Sequence, residues 1–230
     1  MVEKDGENTK IRLNLAQNAI DSINRAIELI AWQEEPDEAK RLKQAVLSVA
    51  HGVELLLKER LRLVHPSLIW ENVDKYPSTS ARTVGVEIAV TRLKNIGGLT
   101  FSDADILLIR SLRDTRNAIE HYSWSTTSKE ANSIIGKALG FAVSFSLEHL
   151  QYEFFGYYTS KDDTLSQLLE TNTEFSKSYS EWGKQPNKVG GDENHLCDFC
   201  NALAVNPLNG TCRICGHGTI DDRFDDGLPF

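Results

Sequence analysis

Apolar residues recur at helical spacing through most of the first 160 positions. Ile11, Leu15, Ala19, Ile23, Ala26, Ile27 and Ile30 form one stripe, which predicts a helix over residues 10–32. Pro36 breaks that pattern and can open the next helix. Ala45, Val46, Val49, Val53, Leu56, Leu57 and Leu61 predict a long second helix over 37–63, closed by His65-Pro66. Residues 66–80 read as a longer connection containing Trp70 and Tyr76. A third helix is expected over 81–95, closed by Gly97-Gly98. Thr100 or Ser102 then caps a fourth, with Asp103 and Asp105 suited to its first turn. A fifth is expected over 127–157, aromatic at its end, and a more polar sixth over 163–183. No strand is expected before residue 195, and no internal repeat is visible. The fold class is all-α, an antiparallel helical bundle.

The character changes near residue 184. Gly183 to Asp192 is rich in glycine, proline, lysine and asparagine and reads as a linker. The expected organisation is a bundle over 1–160, a polar helix and linker over 161–192, and a cysteine module with an acidic tail over 193–230. Cys197, Cys200, Cys212 and Cys215 are spaced C-x2-C-x11-C-x2-C. Two such knuckles place four thiolates around a tetrahedral Zn²⁺. Asn206 to Gly210 supplies turn residues between them. Over residues 195–219 the module resembles a zinc ribbon. The zinc is expected to be structural, because a module this short has little core and depends on metal to fold. With four cysteines the site is complete, so His195 and His217 are bystanders. Disulfides and a redox dithiol fit less well: no export signal opens the chain, and no thioredoxin-like pattern surrounds the cysteines.

Composition changes the picture little, but charge matters. No run approaches the ~18 apolar residues of a membrane helix, and the N-terminus lacks a secretory signal. A cytoplasmic protein with no membrane partner is expected. The net charge is −8. Residues 161–230 carry 12 acidic and 6 basic side chains, against 21 and 19 in residues 1–160. The body is thus near neutral and can hold a local basic cleft, although whole-chain electrostatics lends RNA binding no support.

The densest chemistry lies in Arg113-Asp114-Thr115-Arg116-Asn117-Ala118-Ile119-Glu120-His121-Tyr122. At ~100° per residue, Leu108, Leu112, Thr115 and Ile119 share a core-facing side. Arg110, Arg113, Asp114, Asn117 and His121 fall opposite, with Arg116 on the flank. An arginine can fork two donors onto a phosphate, and a histidine can pass a proton near neutral pH. Geometry alone favours a solvated helix face, with Arg113, Asp114, Arg116 and Glu120 in weak ion pairs.

The segment Arg116-Asn117-Ala118-Ile119-Glu120-His121 resembles the Arg-x4-His motif of the HEPN superfamily, over a body spanning roughly residues 10–157. Glu54-Leu55-Leu56-Leu57-Lys58 in the second helix resembles members of the same group. The resemblance implies a HEPN-like bundle acting as a homodimer, and a metal-independent endoribonuclease, often a toxin or an effector of anti-phage defence. Arg116, Asn117 and His121 would be its catalytic residues. His121 would move the proton of the ribose 2′-hydroxyl or the leaving oxygen. Arg116 would neutralise charge on the phosphoryl oxygens, and Asn117 would position the phosphate or the imidazole. The products would be a cyclic 2′,3′-phosphate and a 5′-hydroxyl, with no catalytic cofactor.

The alternative is a catalytically silent HEPN-like adaptor whose ribbon docks a protein partner, or an antitoxin. Protein docking, or fixing the C-terminal arm, suits the ribbon better than RNA selection, because Arg213 and Phe199 stand beside Asp198 and an acidic tail. Glu120 and Tyr122 are expected to serve in a salt bridge and in packing, and Glu54 and Lys58 to form an ordinary i, i+4 ion pair. Gly136-Lys137-Ala138 lacks the upstream glycine of a phosphate loop.

Overall fold

The computed structural model describes residues 2–5, 8–33, 35–155 and 163–183, with the short segments 195–196 and 203–205. Seven α-helices form the described body: α1 Leu15–Ala31, α2 Glu38–Val64, α3 Val86–Asn95, α4 Asp103–His121, α5 Ser128–Leu150, α6 Asp163–Thr171 and α7 Thr173–Gly183. Four short strands accompany them: β1 Val2–Asp5, β2 Asn8–Ile11, β3 His195–Leu196 and β4 Leu203–Val205. The all-α reading holds for the body. The expectation of no strand before residue 195 does not: β1 and β2 pair antiparallel with Val2 opposite Ile11 and Asp5 opposite Asn8. Helical periodicity, a 3.6-residue repeat, carries no signal for so short a strand pair.

Helix starts follow local chemistry. Asn14 and Gln17 form a reciprocal capping box at α1, Ser102 and Asp105 one at α4, and Thr127 and Glu130 one at α5. Thus Ser102, not Thr100, caps the fourth helix. Gly98 takes φ +69° after α3, and the Leu99 amide then donates back to the Leu93 carbonyl at 3.0 Å.

α1 packs along α2, and α2 also meets α3, α4 and α5. Ile23, Ile27, Val46, Val49, Leu56, Leu57 and Leu61 are buried at the centre. Each such side chain contributes roughly 1.5–3 kcal/mol relative to exposure. α6 lies against α1 and α7 against α5, and they add Leu165, Leu168, Phe175 and Tyr179 to the same core.

Several boundaries depart from the periodicity. α1 starts at Leu15 and α3 at Val86, each five residues later than expected. α5 stops at Leu150 because Gln151 adopts a left-handed conformation, φ 56°. The amide of Tyr152 then donates to the Ser146 carbonyl at 3.1 Å. The chain turns back so that Phe155 packs edge-on against Phe175 and Tyr179, 6.3 Å between centroids in each case. The sixth expected helix is divided at Asn172. This buried side chain accepts the Phe175 amide at 2.9 Å and donates to the Asn132 carbonyl at 3.0 Å. Its capping of α7 outweighs the continuous pattern.

Candidate functional site

Arg116, Asn117 and His121 occupy the last turns of α4, with His121 the final helical residue. Ile109 and Leu112 are the buried side chains of this helix, while Leu108 and Thr115 are only partly covered. The core-facing direction is therefore rotated by about one residue from the expected one. That rotation carries Arg116 towards α2. Its side chain is 33% exposed, with Nη1 3.5 Å from Glu54 and Nε 3.1 Å from Oε2 of Glu120.

Glu54 is part of a longer chain of charges. Its Oε1 accepts Lys58 Nζ at 2.6 Å, as the i, i+4 spacing leads one to expect. Lys58 Nζ also donates to Thr83 Oγ1 at 3.0 Å, and its side chain is only 8% exposed. Thr83 belongs to the connection between α2 and α3. Arg92 fixes the same connection by donating to the backbone carbonyls of Leu68 and Trp70, both at 2.6 Å, and of Glu71 at 2.9 Å. Thus α2, α4 and the loop are tied together behind Arg116. Nothing in local spacing signals either the Glu54–Arg116 bridge or the role of Arg92, since both span helices.

His121 lies at the open edge of this network. Its imidazole is 66% exposed, with Nε2 4.0 Å from the same Glu120 oxygen that Arg116 contacts. The arginine and the histidine are thus brought to one carboxylate. Asn117 is half-buried and has no side-chain hydrogen bond among the described residues, so no amide–imidazole link is present. The other two arginines of the helix turn away. Arg113 pairs with Glu87 of α3 and with Asp114, and these carboxylates, Asp114 foremost, raise its pKa. Arg110 lies 3.8 Å from Glu87. Of the three, Arg116 is the one that neighbours the imidazole. Glu120 makes its expected salt bridge. Tyr122 does not pack: it is 81% exposed, because α4 ends at His121 and its apolar face passes beneath Ile119, not Tyr122.

A cleft of about 590 Å³ opens elsewhere, between the start of α4 and helices α5 and α7, around Phe101, Phe141, Phe145 and His149. None of Arg116, Asn117 and His121 lines it. The motif is a surface feature of the single chain.

Cys197, Cys200, Cys212 and Cys215, and the zinc expected at them, lie outside the described residues. The strands that bracket the first pair are described: β3 and β4 run antiparallel, with His195 opposite Val205 and Leu196 opposite Leu203. By residue type alone, a four-thiol donor set suits Zn²⁺. β4 lies beside α7. No described helix is long and apolar enough to cross a membrane.

Comparison of the chain with models of protein families, with curated proteins and with solved structures finds no significant match.

Proposed function

We infer that this chain is a metal-independent endoribonuclease of HEPN type, acting as a homodimer and serving as a toxin or an anti-phage effector. The observation that carries the reading is the meeting of Arg116 and His121 at one carboxylate oxygen on an exposed helix end, 3.1 and 4.0 Å away. Exposed ion pairs are weak. A phosphate offering two oxygens to the guanidinium can therefore replace Glu120, and once seated there it lies beside the imidazole.

In the reaction, one His121 takes the proton of the 2′-hydroxyl as that oxygen attacks phosphorus. The bond from phosphorus to the 5′-oxygen breaks, and the His121 of a second copy returns a proton to that oxygen. Arg116 offsets the negative charge that grows on the non-bridging oxygens. The helix end is an open surface in one chain, and a two-fold partner would wall it into a cleft. DNA, lacking the 2′-hydroxyl, would not be cut. The cysteine module, with its structural zinc, would hold the C-terminal arm or dock a protein.

One observation favours the second reading, a catalytically silent adaptor. Arg116 already has two carboxylate partners, as a purely structural arginine would. The discriminating experiment compares wild type, Arg116→Ala and His121→Ala on single-stranded RNA in chelator, with helix content checked by circular dichroism. The nuclease reading expects a loss of about 10²–10⁴-fold for His121→Ala and a comparable loss for Arg116→Ala. RNA left intact by wild type, beside tight and zinc-dependent capture of a protein partner, would select the adaptor.

A further inference from the structure

We propose that Tyr122 is the base-stacking residue of this surface, holding the nucleotide next to the phosphate at Arg116 and His121; the proposal rests on the ribonuclease reading and names a substrate contact for it. Tyr122 is 81% exposed, so its ring contributes almost nothing to the core. Its backbone is nonetheless fixed. The amide donates to the Ala118 carbonyl at 3.0 Å, and the residue caps α4 in an extended conformation, φ −138° and ψ −157°. The ring therefore projects from a rigid helix end rather than from a free loop. It stands edge-on to His121, with centroids 6.4 Å apart and planes at 78°.

An aromatic held in this way suits a flat, unpaired base. Single-stranded RNA is commonly gripped by stacking its splayed bases on tyrosine and similar rings, and stacking tolerates any sequence. The surroundings favour RNA over a second copy of the chain as the occupant. The adjacent exposed residues are polar: Glu120, His121 and Ser123. The other exposed large apolar residue of α4, Leu107, is fifteen positions away, about 22 Å along the axis. Along α4 no second exposed apolar side chain stands beside the ring, whereas Arg116 offers a phosphate contact within two turns.

The test uses the full-length chain and single-stranded RNA carrying 4-thiouridine. In a His121→Ala background, ultraviolet irradiation should link the RNA to the peptide containing Tyr122. The link should persist in Tyr122→Phe, which keeps the ring, and vanish in Tyr122→Ala. With His121 intact, Tyr122→Ala should raise KM about 10- to 100-fold while kcat changes little, and Tyr122→Phe should behave as wild type. Cross-links that map elsewhere, or an unchanged KM, would overturn the proposal. So would a dimer that dissociates in Tyr122→Ala, which would assign the ring to contact between copies. Cross-linking needs no cleavage: RNA bound at Tyr122 but never cut would support the stacking role and remove the nuclease reading.

Discussion

Nη1 of Arg116 lies 3.5 Å from a carboxylate oxygen of Glu54, joining α4 to α2 through the arginine on which the proposed chemistry depends. The other oxygen of Glu54 takes Lys58 at 2.6 Å. Glu54 is thus a shared anion between a buried ammonium and a half-exposed guanidinium.

Removing that anion should cost more than removing the ammonium. Glu54→Ala leaves Lys58 with Thr83 as its one remaining polar partner among the described residues, and we expect a loss of about 2–3 kcal/mol in urea unfolding. Lys58→Met retains the packing of the aliphatic stem and leaves Glu54 paired with Arg116, so about 1 kcal/mol is expected. Equal losses would show that the bridge does not organise the helix pair.

At Gly136, α5 passes close to the start of α7. A Cβ there would sit 2.7 Å from the backbone nitrogen of Phe175 and closer still to the side chain of Asn172. Gly136→Ala should lower stability by about 2 kcal/mol or more, despite the higher helix propensity of alanine. Asn172→Ala should also be destabilising, because it leaves the buried Phe175 amide at the start of α7 without its cap. A thermal melt in which Gly136→Ala is neutral or stabilising would contradict this crossing.

Burial pushes the pKa of Glu153 above the usual glutamate range, and its Oε1 is buried without a hydrogen-bond partner among the described residues. The native state therefore binds a proton more tightly than the unfolded chain. The penalty is absent at acid pH, grows as pH rises from the ordinary glutamate value to the raised one, and is complete above it. Glu153→Gln should stabilise the protein at pH 7 and lose that advantage as the pH falls towards 4. A constant difference between the two proteins across this range would refute the assignment.

Zinc should be measurable as one ion per chain, lost in Cys197→Ser and in Cys212→Ser. Stripping it should expose residues 184–230 to protease while the far-ultraviolet signal of the helices persists. Metal retained by both variants would rule out the four-thiol site.

How much of this was legible in the sequence depends on the range of the interaction. The start of α4 at Thr100 or Ser102, the stop at Gly97-Gly98 and the Glu54–Lys58 pair are set by residues within a turn, and they are legible in the chain. The end of α5 is different. Periodicity carries it to residue 157, but packing of Phe155 on Phe175 and Tyr179 turns the chain at Gln151. The division at Asn172 depends likewise on Asn132, forty positions away. At the candidate site, local spacing put Arg116 on the flank of α4. It could not reveal that Glu54 waits on α2, nor that Asn117 makes no hydrogen bond to His121. Tyr122 was expected to pack, and its exposure follows from the helix ending one residue earlier.

On the proposed reading, the Arg116–His121 pair cuts RNA without a metal. The direct measurement is cleavage of a mixed RNA pool by purified protein in EDTA, beside His121→Ala, with the product ends identified. The account predicts cyclic 2′,3′-phosphate and 5′-hydroxyl ends from wild type and none from the variant. Cleavage that is equal in the two proteins, or wild-type products ending in 3′-hydroxyl and 5′-phosphate, would contradict it.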